Sequence, residues 1–295
     1  MARRIMVAAL AFTLIAGGSV SAHSPEGEIF SAFQWPPGLE PVMDGVGNEY
    51  GIIPEPYWQT TEQFPDTQGG RDIDPSNFDA KATITYSLGT NLIYAYSEVF
   101  DDISIPPDTW QFMVDADHSG GDCYPDTDDN ARWHASACQQ YEVYNHIPGE
   151  EGDDPVHFFW GTATWLPEEG WYNITCTFDG EKDGPGTVYR EVQIKPLDDL
   201  NSPAGPGESV VHTLTEGAIM GLGYNWMDYD EVGREVQGGG WQAFYNLSQH
   251  DRMYRSGDGA CDFFLAPVDE TVDFSAMPTA VEATTWGRIK TGFVQ

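Results

Sequence analysis

An all-β fold, an antiparallel β-sandwich with long loops, is what the sequence predicts, on three observations. Short runs of alternating apolar and polar residues, rich in aromatic and β-branched types, recur along the chain. Turn residues separate them, supplied by 32 glycines and 20 prolines. No stretch carries the 3.6-residue periodicity of a long amphipathic helix. Many short strands divided by turns bury their apolar faces best against one another.

The elements follow in chain order. Arg3 and Arg4, an apolar run from Ile5 to Ala16 and the small residues Val20-Ser21-Ala22 form a signal peptide over residues 1–22, cleaved after Ala22. This predicts a secreted or periplasmic protein. Residues 23–40, with Pro25, Pro36 and Pro37, read as an extended arm, and 41–295 as one domain. Residues 60–78 read as a surface loop. Lys81 to Ser87 and Leu92 to Phe100 read as a hairpin across Gly89-Thr90-Asn91. Trp110, Phe112 and Val114 alternate with Gln111 and Met113, the pattern of a half-buried strand. Further strands are expected at 141–144 and 158–165. A second hairpin is expected from 171–178 and 187–194, followed by a loop at 196–209 and a short helix near 209–217. Strands over 219–227, 241–248 and 284–293 complete the set.

Composition bounds the partners. Lys and Arg number 13 against 47 Asp and Glu, a net charge of −34. Such a surface repels nucleic acid, whose binding depends on cations neutralising phosphates. It suits divalent cations and neutral ligands. No later run is long and apolar enough for a membrane helix. Oligomeric state is not legible. In an exported chain, Cys123, Cys138, Cys176 and Cys261 read as disulfides. Four cysteines allow three connectivities; Cys123–Cys138 and Cys176–Cys261 are the favoured pairs.

The acidic residues point to a metal. Asp115, Asp117, Ser119 and Gly120 give D-x-D-x-S-G, with Asp126 twelfth in the count and Asp122 between. A hard cation such as Ca2+ needs about six to eight converging oxygens, and acids at alternate positions before a sharp glycine turn supply them. The strand-like upstream flank and the Asp at the last position exclude a full EF-hand. Asp228 and Asp230, after another strand, are the second metal candidates.

Several blocks, in order, resemble one family: Asp44-Gly45 followed by aromatics, Asn91 to Tyr94 in a strand ending at Asp101-Asp102, Gln111 to Asp115, Glu191 to Lys195, and Gly221 to Asp228. Across roughly residues 41–293 the chain is similar to the family 9 carbohydrate-binding module, a β-sandwich related to DOMON domains. The resemblance implies structural calcium and a sugar stacked on surface aromatics. Trp241 matches a stacking tryptophan, Gln111 stands at a ligand-binding Glu, and Glu142 lies where the Arg is sought. Asn225 and Trp226 complete that ligand set. A sugar's apolar C–H faces stack on aromatic rings while hydroxyls hydrogen-bond around them.

The leading expectation is therefore a secreted non-catalytic protein binding carbohydrate or a related exported small ligand. Two alternatives come from other classes. A redox protein could hold haem b through Met113, Met220 or Met227, as DOMON relatives do, and a Soret band would reveal it. A glycoside hydrolase could use Glu98 and Glu191 as its carboxylate pair.

Overall fold

The computed structural model describes residues 24–106, 108–123, 134–144, 156–157, 163, 165–230, 241–250, 253 and 255–277. The signal segment, Asp126, the strand expected at 284–293 and, apart from residues 163 and 165, the strand expected at 158–165 lie outside these. The chain runs through β1 (Ile29–Gln34), β2 (Trp58–Thr60), β3 (Phe78–Ser87), β4 (Leu92–Ser104) and β5 (Thr109–Asp115). It continues with β6 (His134–Ala135), β7 (Gln139–Tyr144), β8 (Val156–His157), β9 (Tyr172–Gly180) and β10 (Gly184–Ile194). Last come β11 (Leu197–Asn201), β12 (Val210–Val211), β13 (Ile219–Asp228), β14 (Ala243–Asn246) and β15 (Cys261–Leu265).

The all-β class holds. Twelve strands join in one sheet ordered β8-β7-β5-β13-β15-β1-β3-β4-β10-β9, with β14 on β13 and β2 on β3, wrapped nearly into a barrel. The hinge of this wrap is β1. Ile29 to Ala32 pair with β15, and Phe33 and Gln34 pair with β3. A strand that changes partner midway turns the corner between two packed halves. Residues 29–34, read as part of an arm, are thus the central join of the sheet. Their apolar pairing partners lie far away in sequence, so local periodicity did not reveal them.

Both hairpins form. Ser87 pairs with Leu92 across a turn in which Asn91 takes a positive φ of 54°, a conformation Asn tolerates. The β9–β10 hairpin turns through Asp183, at φ 56°. Other expectations are corrected. Residues 209–217 carry the short strand Val210–Val211 rather than a helix, and the 196–209 loop contains β11. Trp165 opens the four-residue helix Trp165–Glu168. Every residue of β5 is buried, not one face alone; β5 lies inside the sheet between β7 and β13. Among the described residues no helix is long and apolar enough to cross a membrane.

Strand alternation decides what enters the core. Ile93, Ala95 and Val99 of β4 face the main cluster, as do Met220, Leu222, Tyr224 and Trp226 of β13. Period two carries the same parity onward to Asp101 and Asp228. On β10, Arg190 shares parity with Val188 and Val192, and is 1% exposed. Three charged residues therefore project inward from strands whose other inward positions are apolar.

Candidate functional site

Those inward charges converge. Asp101, Asp108 and Asp228 are 3%, 5% and 1% exposed, and a ligating oxygen from each lies within 4.8 Å of the others. Asp108, in the β4–β5 turn, accepts Ile105 N–H at 2.8 Å and Tyr229 N–H at 2.9 Å, stapling that turn to the end of β13. Asp101 accepts Ile103 N–H at 2.9 Å. Neither Asp228 oxygen accepts a hydrogen bond from a described residue, although both are buried. Arg190, Trp226, Phe78 and Val99 line the same enclosed space of about 10 Å3, close to what one water-sized body occupies.

The electrostatics follow from burial. Burial, reinforced by Asp101 and Asp230, pushes Asp228 up to about 8. Burial likewise raises Asp101 to about 6 and holds Asp108 well above the usual carboxylate range. It pulls Arg190 down from its ordinary value, opposed by Cys176 and by the Asp108 and Asp101 carboxyls. A half-buried outer group, Asp102 and Asp230, adjoins Asp101. Asn77 Nδ2 donates to Asp102 at 2.7 Å, and Arg71 stands 3.7 Å from Asp230.

The structure thus brings the expected Asp228 and Asp230 together with Asp101, Asp102 and Asp108, which the sequence reading did not join to them. The missed signal was parity, since each inner strand acid continues its strand's core-facing alternation. The D-x-D-x-S-G loop looks different. Asp115 is fully buried and accepts Ser119 and Gly120 N–H groups at 3.2 and 2.9 Å, while Asp117 accepts Ser119 N–H at 3.1 Å. Asp122 bridges to Ser256. Among the described residues, no three-acid grouping includes Asp115, Asp117 or Asp122.

Cys123 and Cys138 are joined, with Cα atoms 4.6 Å apart. The pairing Cys176–Cys261 is corrected: both sulfurs are free and buried. Cys176 lies on β9 and Cys261 on β15, five strands apart along the sheet, and a disulfide needs Cα atoms within about 7 Å.

Four of the five expected ligand residues, Gln111, Glu142, Asn225 and Trp226, lie in the interior. Gln111 Nε2 donates to Glu142, and Asn225 Nδ2 donates to Gln111 at 3.0 Å, a ladder across β7, β5 and β13. These three are at most 3% exposed. Trp226, 1% exposed, packs against Phe64 with ring centroids 4.7 Å apart. Trp241 alone of the set reaches the surface, half-buried, its indole donating to Gln68 at 3.0 Å. Met113, Met220 and Met227 are buried.

An open cleft of about 510 Å3 lies elsewhere, over the outer face of β3, β4 and β10. Register builds it. Lys81, Glu98 and Tyr189 form one cross-strand row, and Thr83, Tyr96 and Glu191 the next. Trp58 flanks the rows from β2, its indole held by Ile53 C=O at 3.0 Å. Tyr50 stacks on Tyr96 at 4.7 Å. Lys81 pairs with Glu98 at 2.9 Å and sits 5.4 Å over the Trp58 ring. The bordering loop approaches so closely that Gly47, at φ 63°, admits no Cβ beside the Tyr96 ring. Glu191 lies under this loop, fully buried, accepting the N–H groups of Asp44 and Gly45.

No protein-family model, curated protein or solved structure matches this chain.

Proposed function

We propose that this chain is an exported, non-catalytic carbohydrate-binding protein whose ligand lies in the cleft of Trp58, Tyr96 and Tyr189. The observation that carries the reading is the cleft's composition. Partly exposed aromatic surfaces at Trp58 and Tyr189 stand beside a charged pair, Lys81 and Glu98, and the rim residue Asn48. Aromatic faces take the C–H side of a pyranose, and the charged and amide groups take its hydroxyls. Stacking on fixed rings costs little side-chain entropy; the Trp58 indole is already anchored. The non-catalytic reading draws support from Glu191. It shares a strand face with Glu98, but it is sealed beneath residues 44–45 and its acid cannot meet a ligand in the cleft.

Isothermal titration of the mature protein against a panel of neutral oligosaccharides tests this, with tryptophan fluorescence as a second readout. Binding that weakens at least tenfold in both Trp58→Ala and Tyr189→Ala, and persists in Trp241→Ala, is the expected result. Binding lost only in Trp241→Ala would place the ligand elsewhere. Release of reducing sugar would make the protein a hydrolase.

A further inference from the structure

We propose that Asp101, Asp108 and Asp228 together form a buried divalent-cation site of calcium type, approached through Asp102 and Asp230. The site is separate from the D-x-D-x-S-G loop and independent of the carbohydrate cleft.

Geometry comes first. Calcium–oxygen distances run about 2.3–2.6 Å, so oxygens sharing one ion lie within roughly twice that of one another. The three inner carboxylates meet this limit, each with an oxygen within 4.8 Å of the others. They come from the end of β4, the β4–β5 turn and the end of β13, so one ion would tie three chain segments.

The second observation is Asp228. Its carboxyl is 1% exposed, points into the cluster by strand parity, and receives no hydrogen bond at either oxygen from a described residue. Burying an ionised carboxylate without a partner is among the most costly arrangements in a fold. Asp101 and Asp108 each spend oxygen lone pairs on backbone N–H groups; Asp228 spends none there. Both its oxygens are left to a cation.

Charge points the same way. With all three carboxylates ionised, as a bound cation would hold them, three negative charges would face one guanidinium, Arg190, in the shared space. That leaves two negative charges, which a divalent ion would balance. All-oxygen, carboxylate-rich donors select a hard cation rather than zinc or copper. Calcium suits irregular donor sets better than magnesium, which demands near-octahedral geometry and keeps its waters. The enclosed space leaves little room for such a hydration shell. The outer pair, Asp102 and Asp230, is half-buried and adjoins Asp101, giving an incoming ion carboxylates at the surface before it sheds water.

The test uses the full mature protein after chelation, titrated with Tb3+ and then with Ca2+. Trp226 lines the site, so tryptophan excitation should sensitise terbium emission, and Ca2+ should quench it by displacement. Asp228→Asn keeps shape and removes charge. It should weaken binding by more than the roughly 10–100-fold that outer partners of a metal site already cost. Asp117→Asn should leave the signal unchanged. Asp102→Asn, at a half-buried position, is the variant to read if Asp228→Asn does not fold, and should slow ion uptake. Absent emission, or emission equal in wild type and Asp228→Asn, would overturn the site and leave the cluster as protonated acids. Emission lost in Asp117→Asn but kept in Asp228→Asn would overturn it in favour of the 115–126 loop. Failure here would leave the sugar titration untouched.

Discussion

Replacing Glu191 by Gln should make the protein's stability less dependent on pH, and the size follows from the structure. Glu191 is fully buried under the 44–47 loop. One oxygen accepts the Asp44 and Gly45 N–H groups, while the other accepts no hydrogen bond from a described residue. Burial is the main cause that pushes its carboxyl from 4.5 up to about 8, with Asp44 and Glu49 adding repulsion. The folded chain therefore keeps a proton that the unfolded chain releases above its ordinary pKa. Stability from this group is fully present below about 4.5 and is lost as pH rises through about 8. Each pH unit in that window is worth about 1.4 kcal/mol. Between pH 5 and pH 7 the wild type should thus lose roughly 2–3 kcal/mol that the variant keeps. Gln retains an oxygen for the two loop N–H groups and has no proton to lose. Urea unfolding of both proteins at pH 5, 6, 7 and 8, in chelator, measures the difference, and the remaining buried acids cancel in it. Parallel profiles would refute the reasoning, since they would mean that Glu191 ionises in the fold as freely as outside it.

Further expectations follow from other sites. Thiol titration of the native protein should label neither Cys176 nor Cys261, because burial pushes the first up to about 12 and the second well above its ordinary value. Two thiols should appear on denaturation without reductant, whereas none would appear if the two were bridged. Reducing Cys123–Cys138, which closes a 15-residue separation, should cost about 3 kcal/mol by the chain-entropy account, seen as a lower urea midpoint. Gly47→Ala puts a Cβ against the Tyr96 ring at φ 63° and should destabilise by more than the roughly 1–2 kcal/mol of a left-handed non-glycine residue. Gly51→Ala, with open space around it, should be near neutral in the same melt. Truncating Trp226 to Ala in its aromatic cluster should cost about 3–5 kcal/mol in unfolding free energy.

By itself the sequence determined the all-β class, both hairpins and the cores of β4, β5 and β13, because period-two alternation and turn chemistry are local. It also marked Asp228 and Asp230 as acids at a strand end. It did not determine β1, whose partners β15 and β3 are distant in sequence, nor β11 and β12, which pair locally with each other but are too short to leave a periodic trace. Nor did it tell Trp226, Gln111, Glu142 and Asn225 from surface groups. Alternation says which residues share a face, but only packing says whether that face is covered: Trp226 packs on Phe64 inside the main cluster, and Asn225, on the opposite face beside Gln111, meets Met253. Cysteine count suggested two bridges, and sheet order permits one, since Cys176 and Cys261 are five strands apart. The inner acid cluster depended on tertiary structure most of all. Asp101, Asp108 and Asp228 are separated along the chain, and only the wrap of the sheet, turned at β1, closes the ends of β4 and β13 onto the same few ångströms.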